Sequence, residues 1–293
     1  MKEFAVRTIS GVVFTALTLA SLIIVPHNPL PFLILFSFYL VRTDYEYLRL
    51  TMGKGKVVLK IISMVAALSL FLALALILCF DDEASFSVFI LMGLLLLVIA
   101  IPVVDLLEGE KFYMSFSLSS LLYLALPFSL LSGVSAIAVQ MSYSEAGSFF
   151  FDGRAIASLL IVMWMGDVGA YCIGTAFGQG ERGHKLMPSV SPKKSWEGVY
   201  GAIALSVVTA VVLRAFNLLF PLFPYWVSAL FGLVVCVFSV LGDLVESKIK
   251  RHFQKKDAGR IMPGHGGLLD RFDSGLLAWP AAFLFHLIAM FIY

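Results

Sequence analysis

The chain has 293 residues, 60% of them hydrophobic and 14% charged, with a mean hydropathy of +0.95. A soluble globular domain carries nearer ~25% charged residues, so this composition excludes one and supplies material for several spans of ~20 residues each. The formal net charge of +2 gives no global pull toward nucleic acid, and Cys79, Cys172 and Cys236 are too widely separated for a zinc site.

The first apolar stretch follows Lys2 and Arg7, as in a signal peptide. It runs into Pro26 without a small-x-small cleavage site, so it reads as a retained membrane helix. Hydropathy and breakers place nine transmembrane helices at about 5–25, 30–41, 57–80, 86–105, 113–133, 155–177, 198–220, 225–246 and 272–292. Pro26, Pro29 and Pro31, then Gly53 and Gly55, then Asp81-Asp82-Glu83, then Pro221 and Pro224 mark the joints. The second segment is short and can continue into the amphipathic stretch that follows. Backbone groups in lipid must pair within their own segment, which favours helices. The expected fold is all-α, a polytopic integral membrane helix bundle with its N-terminus in the cytoplasm. That orientation puts 19 of the 21 Lys and Arg on the inner side and leaves only Arg154 and Arg214 toward the outside.

No internal repeat or low-complexity linker divides the chain, which reads as one membrane domain with two unequal halves. Residues 1–150 offer little chemistry. Asp44, Glu46, Asp105, Glu108 and Glu110 fall at expected membrane edges and read as solvated helix ends. A lipid entrance is one role open to this half, which the sequence does not show. Residues 151–293 carry the motifs.

Asp167, in Trp164-Met165-Gly166-Asp167-Val168-Gly169-Ala170, lies well inside an expected span. An intramembrane carboxylate faces a polar cavity or a partner within the bundle. Gly166, Gly169, Gly174 and Gly178 permit close approach of another helix. The inner loop then carries Ser191-Pro192-Lys193-Lys194-Ser195-Trp196-Glu197-Gly198. Two adjacent lysines among hydroxyls suit phosphate. Ser195 is placed to cap the next helix, and Glu197 falls in its first turn, where negative charge is favoured.

The eighth span ends in Gly242-Asp243-Leu244-Val245-Glu246-Ser247, where Asp243, Glu246 and Ser247 share a helix face. The stretch from Ser247 to Ser274 then gathers Lys248, Lys250, Arg251, Lys255, Lys256, Arg260 and Arg271 with Asp257, Asp270 and Asp273. Gly264-His265-Gly266-Gly267 sits among them. Positive charge alone would serve topology. The mixture suits more than that: cations neutralise phosphate oxygens, carboxylates hold Mg²⁺, and glycines expose backbone N–H groups to an anion.

These segments, together with Gly166-Asp167-Val168-Gly169-Ala170-Tyr171, resemble the signature of the phosphatidate cytidylyltransferase family, also called CDP-diacylglycerol synthases. The likeness covers about Gly166 to Ser274. Met262 replaces the usual Leu, Ile or Phe, and Ser195 stands where Thr is common. The resemblance implies a nucleotidyltransferase that moves the cytidylyl group of CTP to phosphatidic acid. It further implies Mg²⁺ as cofactor, with room for a second cation. Asp243 and Asp270 are the expected principal metal ligands, supported by Asp273 and Ser247. Asp243, Asp270, Lys250 and Arg271 form the expected catalytic set. Lys193, Lys194, Ser195, Ser247, Arg251, Lys256, Gly264, His265, Gly266 and Gly267 are expected to bind substrate. Partners would be CTP, phosphatidic acid and membrane lipids, with no nucleic acid and with room for a homodimer. The setting implied is a bacterial cytoplasmic membrane, with the site facing the cytoplasm.

Overall fold

The computed structural model describes residues 2–80, 84–107, 113–142, 151–179, 183–262 and 266–292; side chains at 2–5, 84–91, 106 and 140–142 are outside the description. Helices α1 (Lys2–Ile23), α2 (Leu30–Met52), α3 (Val57–Cys79) and α4 (Ala84–Leu107) come first. A rod follows, made of α5 (Met114–Ser120), a π-helical turn at Leu121–Ala125, and α6 (Leu126–Ser142). The second half holds α7 (Gly153–Phe177), strands β1 (Lys185–Met187) and β2 (Ser191–Ser195), α8 (Trp196–Ala215), α9 (Tyr225–His252), the single turn α10 (Leu269–Phe272) and α11 (Gly275–Ile292).

A helical membrane bundle is what the composition leads one to expect. Among the described residues, seven helical stretches are long and apolar enough to cross a bilayer. α2 is 23 residues long but carries Arg42, Asp44, Glu46 and Arg49 in its second half. The described apolar part of α4 is the shorter Met92–Asp105. Helix occupies most of each of the nine expected segments, and among the described residues seven stretches meet the length and hydropathy requirement.

Small residues set the packing. α7 and α8 cross so closely that a Cβ on Gly201 would lie 2.5 Å from the Gly169 carbonyl oxygen, and one on Gly174 would lie 3.3 Å from Gly198 Cα. In lipid such backbone proximity supplies the contact energy that hydrophobicity does not. An aromatic cluster joins the two halves. Phe272 lies 5.7 Å from Phe14, 5.2 Å from Tyr39, 5.3 Å from Phe128 and 5.5 Å from Trp279, centroid to centroid. It therefore ties α10 to α1, α2, α6 and α11.

Three acidic residues depart from the sequence expectation. Asp44, Glu46 and Asp105 are not solvated helix ends; they are 0%, 2% and 1% exposed. Asp105 Oδ2 accepts from the backbone N–H of Tyr113 (2.7 Å) and Met114 (2.8 Å), so it satisfies donors at the start of α5. Glu108 and Glu110 lie outside the described residues.

Candidate active site

The site starts with one face of α9. This helix runs to His252, a turn and a half beyond the expected end, and Lys250, Arg251 and His252 in its last turn complement the helix dipole. Asp243, Glu246, Ser247 and Lys250 thereby line up at spacings of three and four. Ser247 Oγ donates to Asp243 Oδ1 (3.2 Å), and Asp243 Oδ2 receives Lys194 Nζ at 2.6 Å. Lys250 Nζ lies 2.5 Å from Glu246 Oε2 and 2.7 Å from Asp270 Oδ1.

Lys194 reaches α9 from a two-stranded hairpin rather than from an open loop. β1 and β2 pair antiparallel, with Lys185 opposite Ser195 and Met187 opposite Ser191. The hairpin is fastened to α8. Ser195 Oγ accepts from Gly198 N (3.3 Å), the cap its position suggested, and Glu197 Oε1 accepts from His184 N (3.0 Å) and pairs with His184 Nδ1 (2.8 Å). Lys193 is exposed beside Lys194, and the Gln179 side-chain amide donates to its carbonyl (2.9 Å).

Asp270 organises the loop after α9. Its Oδ2 accepts from Ala258 N (3.0 Å) and Gly267 N (2.8 Å), while Oδ1 holds Lys250. Gly266 has φ +86°, a backbone state that side chains resist, and a Cβ there would lie 2.9 Å from Asp270 Oδ2. Asp273 sits between α10 and α11. Its Oδ1 accepts from Ser274 N (2.7 Å) and Ser274 Oγ (3.1 Å). A Cβ on Gly242 would come within 2.6 Å of the Asp273 carbonyl oxygen, so α9 lies directly against this joint. The charges of Asp243 and Asp273 feel each other across it.

A cavity of about 500 Å³ opens beside these groups, between α7, α8 and α9. Met163, Ala170, Val199, Ala202 and Val240 give it apolar walls, and Lys193, Lys194, Ser195 and Asp243 line its polar end. Asp167 stands in its wall, within electrostatic reach of Asp243, Lys194 and Arg271. A volume in this range, mostly apolar with a few directed polar groups, is the form of a small-molecule site.

The expected residues thus fall into groups. Lys193, Lys194, Ser195 and Asp243 line the cavity, Ser247 is hydrogen-bonded to Asp243, and Asp273 accepts from the lining residue Ser274. Lys250 and Asp270 form a buried pair behind them, with their polar atoms committed to each other, to Glu246 and to backbone N–H groups. Arg251, Lys256 and Arg271 are exposed, and Arg251 Nη1 donates to the Lys255 carbonyl (3.2 Å). Gly264 and His265 lie outside the described residues, and Gly266 and Gly267 pack against Asp270. Among the described residues no three His, Cys, Asp or Glu side chains gather around one point. The donor set still fits a hard divalent ion, because Mg²⁺ is commonly held by one or two carboxylates and completed by substrate phosphates. Asp243 and Asp273 are the candidates for such a pair.

Two participants escaped the sequence reading. The sequence shows Glu246 only as a neighbour on the shared face, yet it is one of the two carboxylates against Lys250. Glu46 belongs to the first half, but its Oε2 accepts from Leu269 N (3.0 Å), 223 residues away. Nothing local signals that contact.

Comparison with known proteins agrees with the motifs. The stretch from residue 5 to residue 289 matches the family described as the cytidylyltransferase family. A protein of Bacillus subtilis named phosphatidate cytidylyltransferase is 46% identical over 131 residues, which are 45% of this chain and 46% of that protein. One of Staphylococcus epidermidis with the same name is 44% identical over 127 residues, 43% of this chain and 46% of the relative. A third, of Mycobacterium tuberculosis, is 38% identical over 144 residues, 48% of this chain and 40% of the relative. Each of these matches spans less than half of the curated relative. The family match extends over almost the whole sequence and takes in both the α9–α10 carboxylates and the Lys194 hairpin, so the chain belongs to the cytidylyltransferase family.

Proposed function

We propose that this protein transfers the cytidylyl group of CTP to phosphatidic acid, forming CDP-diacylglycerol and pyrophosphate for phospholipid biosynthesis. One observation carries the reading: in a chain of the cytidylyltransferase family, the Lys194–Asp243 pair stands at the polar end of a cavity with apolar walls. Such a cavity suits an amphipathic phosphate.

The chemistry asks little of a protein nucleophile. An oxygen of the lipid phosphate is already anionic and attacks the α-phosphorus of CTP. A new P–O bond forms there, the bond to the β-phosphate bridging oxygen breaks, and pyrophosphate leaves with that electron pair. Catalysis is then mainly positioning and charge neutralisation. Lys193, Lys194, Arg251, Lys256 and Arg271 neutralise phosphate oxygens, and Arg does so with two parallel bonds. Asp243 and Asp273 would hold Mg²⁺, which when bound neutralises charge on the triphosphate. Asp270 and Lys250 keep the supporting loop in place.

The site is read as facing the cytoplasm from a bacterial cytoplasmic membrane. The Lys and Arg distribution supports this. Arg154 belongs to a second cavity, of about 90 Å³, lined also by Asp152, Asn217 and His286 from the start of α7, the end of α8 and α11. Those are the opposite ends of α7 and α8 from the Lys194 hairpin. CTP from the cytosol and lipid from the bilayer can both reach a site so placed.

The test is to purify the protein in detergent and supply CTP, Mg²⁺ and phosphatidic acid, with and without chelator. Equal, metal-dependent yields of pyrophosphate and CDP-lipid are expected. CDP release with a newly phosphorylated lipid would replace the reading with a lipid kinase, and folded protein without CTP turnover would remove it.

A further inference from the structure

We propose that Glu46, on α2, is a positioning residue that holds the segments 258–262 and 266–270, which meet where Met262 N donates to the Gly266 carbonyl, in their working shape. The inference rests on the cytidylyl-transfer reading for its activity readout.

The carboxylate is 2% exposed and points into the loop, not toward solvent. Oε2 accepts from Leu269 N at 3.0 Å, and Arg42 Nη2 stands 3.7 Å from Oε1. The loop backbone closes tightly over it. A Cβ on either Gly259 or Gly267 would run into the Glu46 carboxylate, so both positions have glycine where this side chain passes.

The same short turn is held from its other side by Asp270, through Gly267 N and Ala258 N. Glu46 and Asp270 therefore grip alternate N–H groups, those of Leu269 and Gly267, of one turn. The turn carries Asp270 into contact with Lys250 and leads directly into Arg271 and Asp273. α2 is itself a fixed support, because Tyr47, one residue on, hydrogen-bonds Ser119 on α5 at 2.8 Å. Tyr39 on the same helix packs against Phe272. Glu46 touches no reacting atom. It acts through the loop, and small misplacements of a catalytic constellation are costly.

The experiment compares Glu46→Ala, Glu46→Asp and Glu46→Gln with the wild-type chain in detergent. Glu46→Ala removes the acceptor. Glu46→Asp keeps the charge but withdraws the acceptor by one methylene. Glu46→Gln keeps an acceptor oxygen of the right reach without the charge. Expected kcat falls by about 100-fold for Ala and about tenfold for Asp, with KM for phosphatidic acid within about threefold throughout. Gln is expected to restore kcat to within about fivefold of wild type.

A second readout needs no turnover. Arg260 is exposed in this loop, and trypsin cleavage after it should quicken by about tenfold or more in the Ala and Asp variants, as local opening becomes easier. If Glu46→Ala fails to fold, the Asp and Gln variants decide. Wild-type kcat in Glu46→Asp, or a folded Glu46→Gln as impaired as Glu46→Asp, overturns the proposal. Wild-type protein without cytidylyl transfer, but with faster cleavage in the Asp variant, would instead overturn the activity reading and leave the positioning role standing.

Discussion

Lys250 lies between Glu246 and Asp270, and the three side chains are 10%, 1% and 7% exposed. Two carboxylates share one ammonium in a space that water scarcely reaches. Removing the cation leaves both anions buried without it, and breaking such an arrangement from one side costs about 3–5 kcal/mol. Lys250→Met should therefore lower the melting temperature in detergent markedly. Asp270→Asn should cost less, because Lys250 keeps Glu246 and an amide oxygen in the place of Oδ2 still accepts from Ala258 N and Gly267 N. Its activity should nevertheless fall by about 100-fold or more, since the charge that fixes Lys250 against the loop is gone. Calorimetry and turnover on the same two preparations separate these effects. A folded Asp270→Asn enzyme with normal turnover would exclude Asp270 from the machinery, and an unchanged melting point in Lys250→Met would show that the pair is more hydrated than its burial implies.

At the level of elements, the α7–α8 crossing determines where the hairpin sits. Gly169 and Gly201 meet backbone to backbone, and Ser195 caps α8 on the same edge that presents Lys194. Gly201→Val would place its Cβ against the Gly169 carbonyl and the Ile173 side chain, at 2.5 and 2.6 Å. The carbonyl cannot swing aside, so the helices must separate. Overpacking of this kind costs typically about 1–3 kcal/mol. Separation would also carry Lys194 away from Asp243, so activity should fall further than stability does. Ala204→Val, on an exposed position of α8, installs the same side chain at the surface and should change neither. The comparison is made by turnover and thermal unfolding, and equal behaviour of the two variants would contradict the proposed coupling between crossing and site. The α7 glycine of this crossing, Gly169, was readable in the sequence, as was the Ser195 cap; its partner Gly201 on α8 was not. The hairpin was not, because β2 depends on pairing with a three-residue strand that has no periodicity to detect.

For the whole molecule, hydropathy and charge made the bundle legible, because a bilayer constrains span length and the side on which cations lie. The motif carboxylates were legible by spacing on one helix face. What stayed hidden were contacts between distant segments. Glu46 and Asp105 read as helix ends because only their sequence neighbours were available, whereas their donors lie across chain connections. The spacing that marked Asp270 as an expected metal ligand said nothing of its contacts with Lys250, Ala258 N and Gly267 N, which the assembled fold supplies. The charge asymmetry itself makes the last prediction. Lys256, at the motif end, and Ala215, at the opposite end of α8, are both exposed. Cys172 is the one exposed cysteine among the three and would first become Ser; Cys79 and Cys236 are buried. In that background, Lys256→Cys should resist a membrane-impermeant maleimide in intact cells and react once the membrane is opened, while Ala215→Cys should react from outside. The opposite pattern would invert the bundle and overturn the proposed cytoplasmic placement of the site. Labelling of both from one side would mean that α9, the helix between the two positions, does not cross the membrane, and the assignment of Arg154 and Arg214 to the outer face would fall with it.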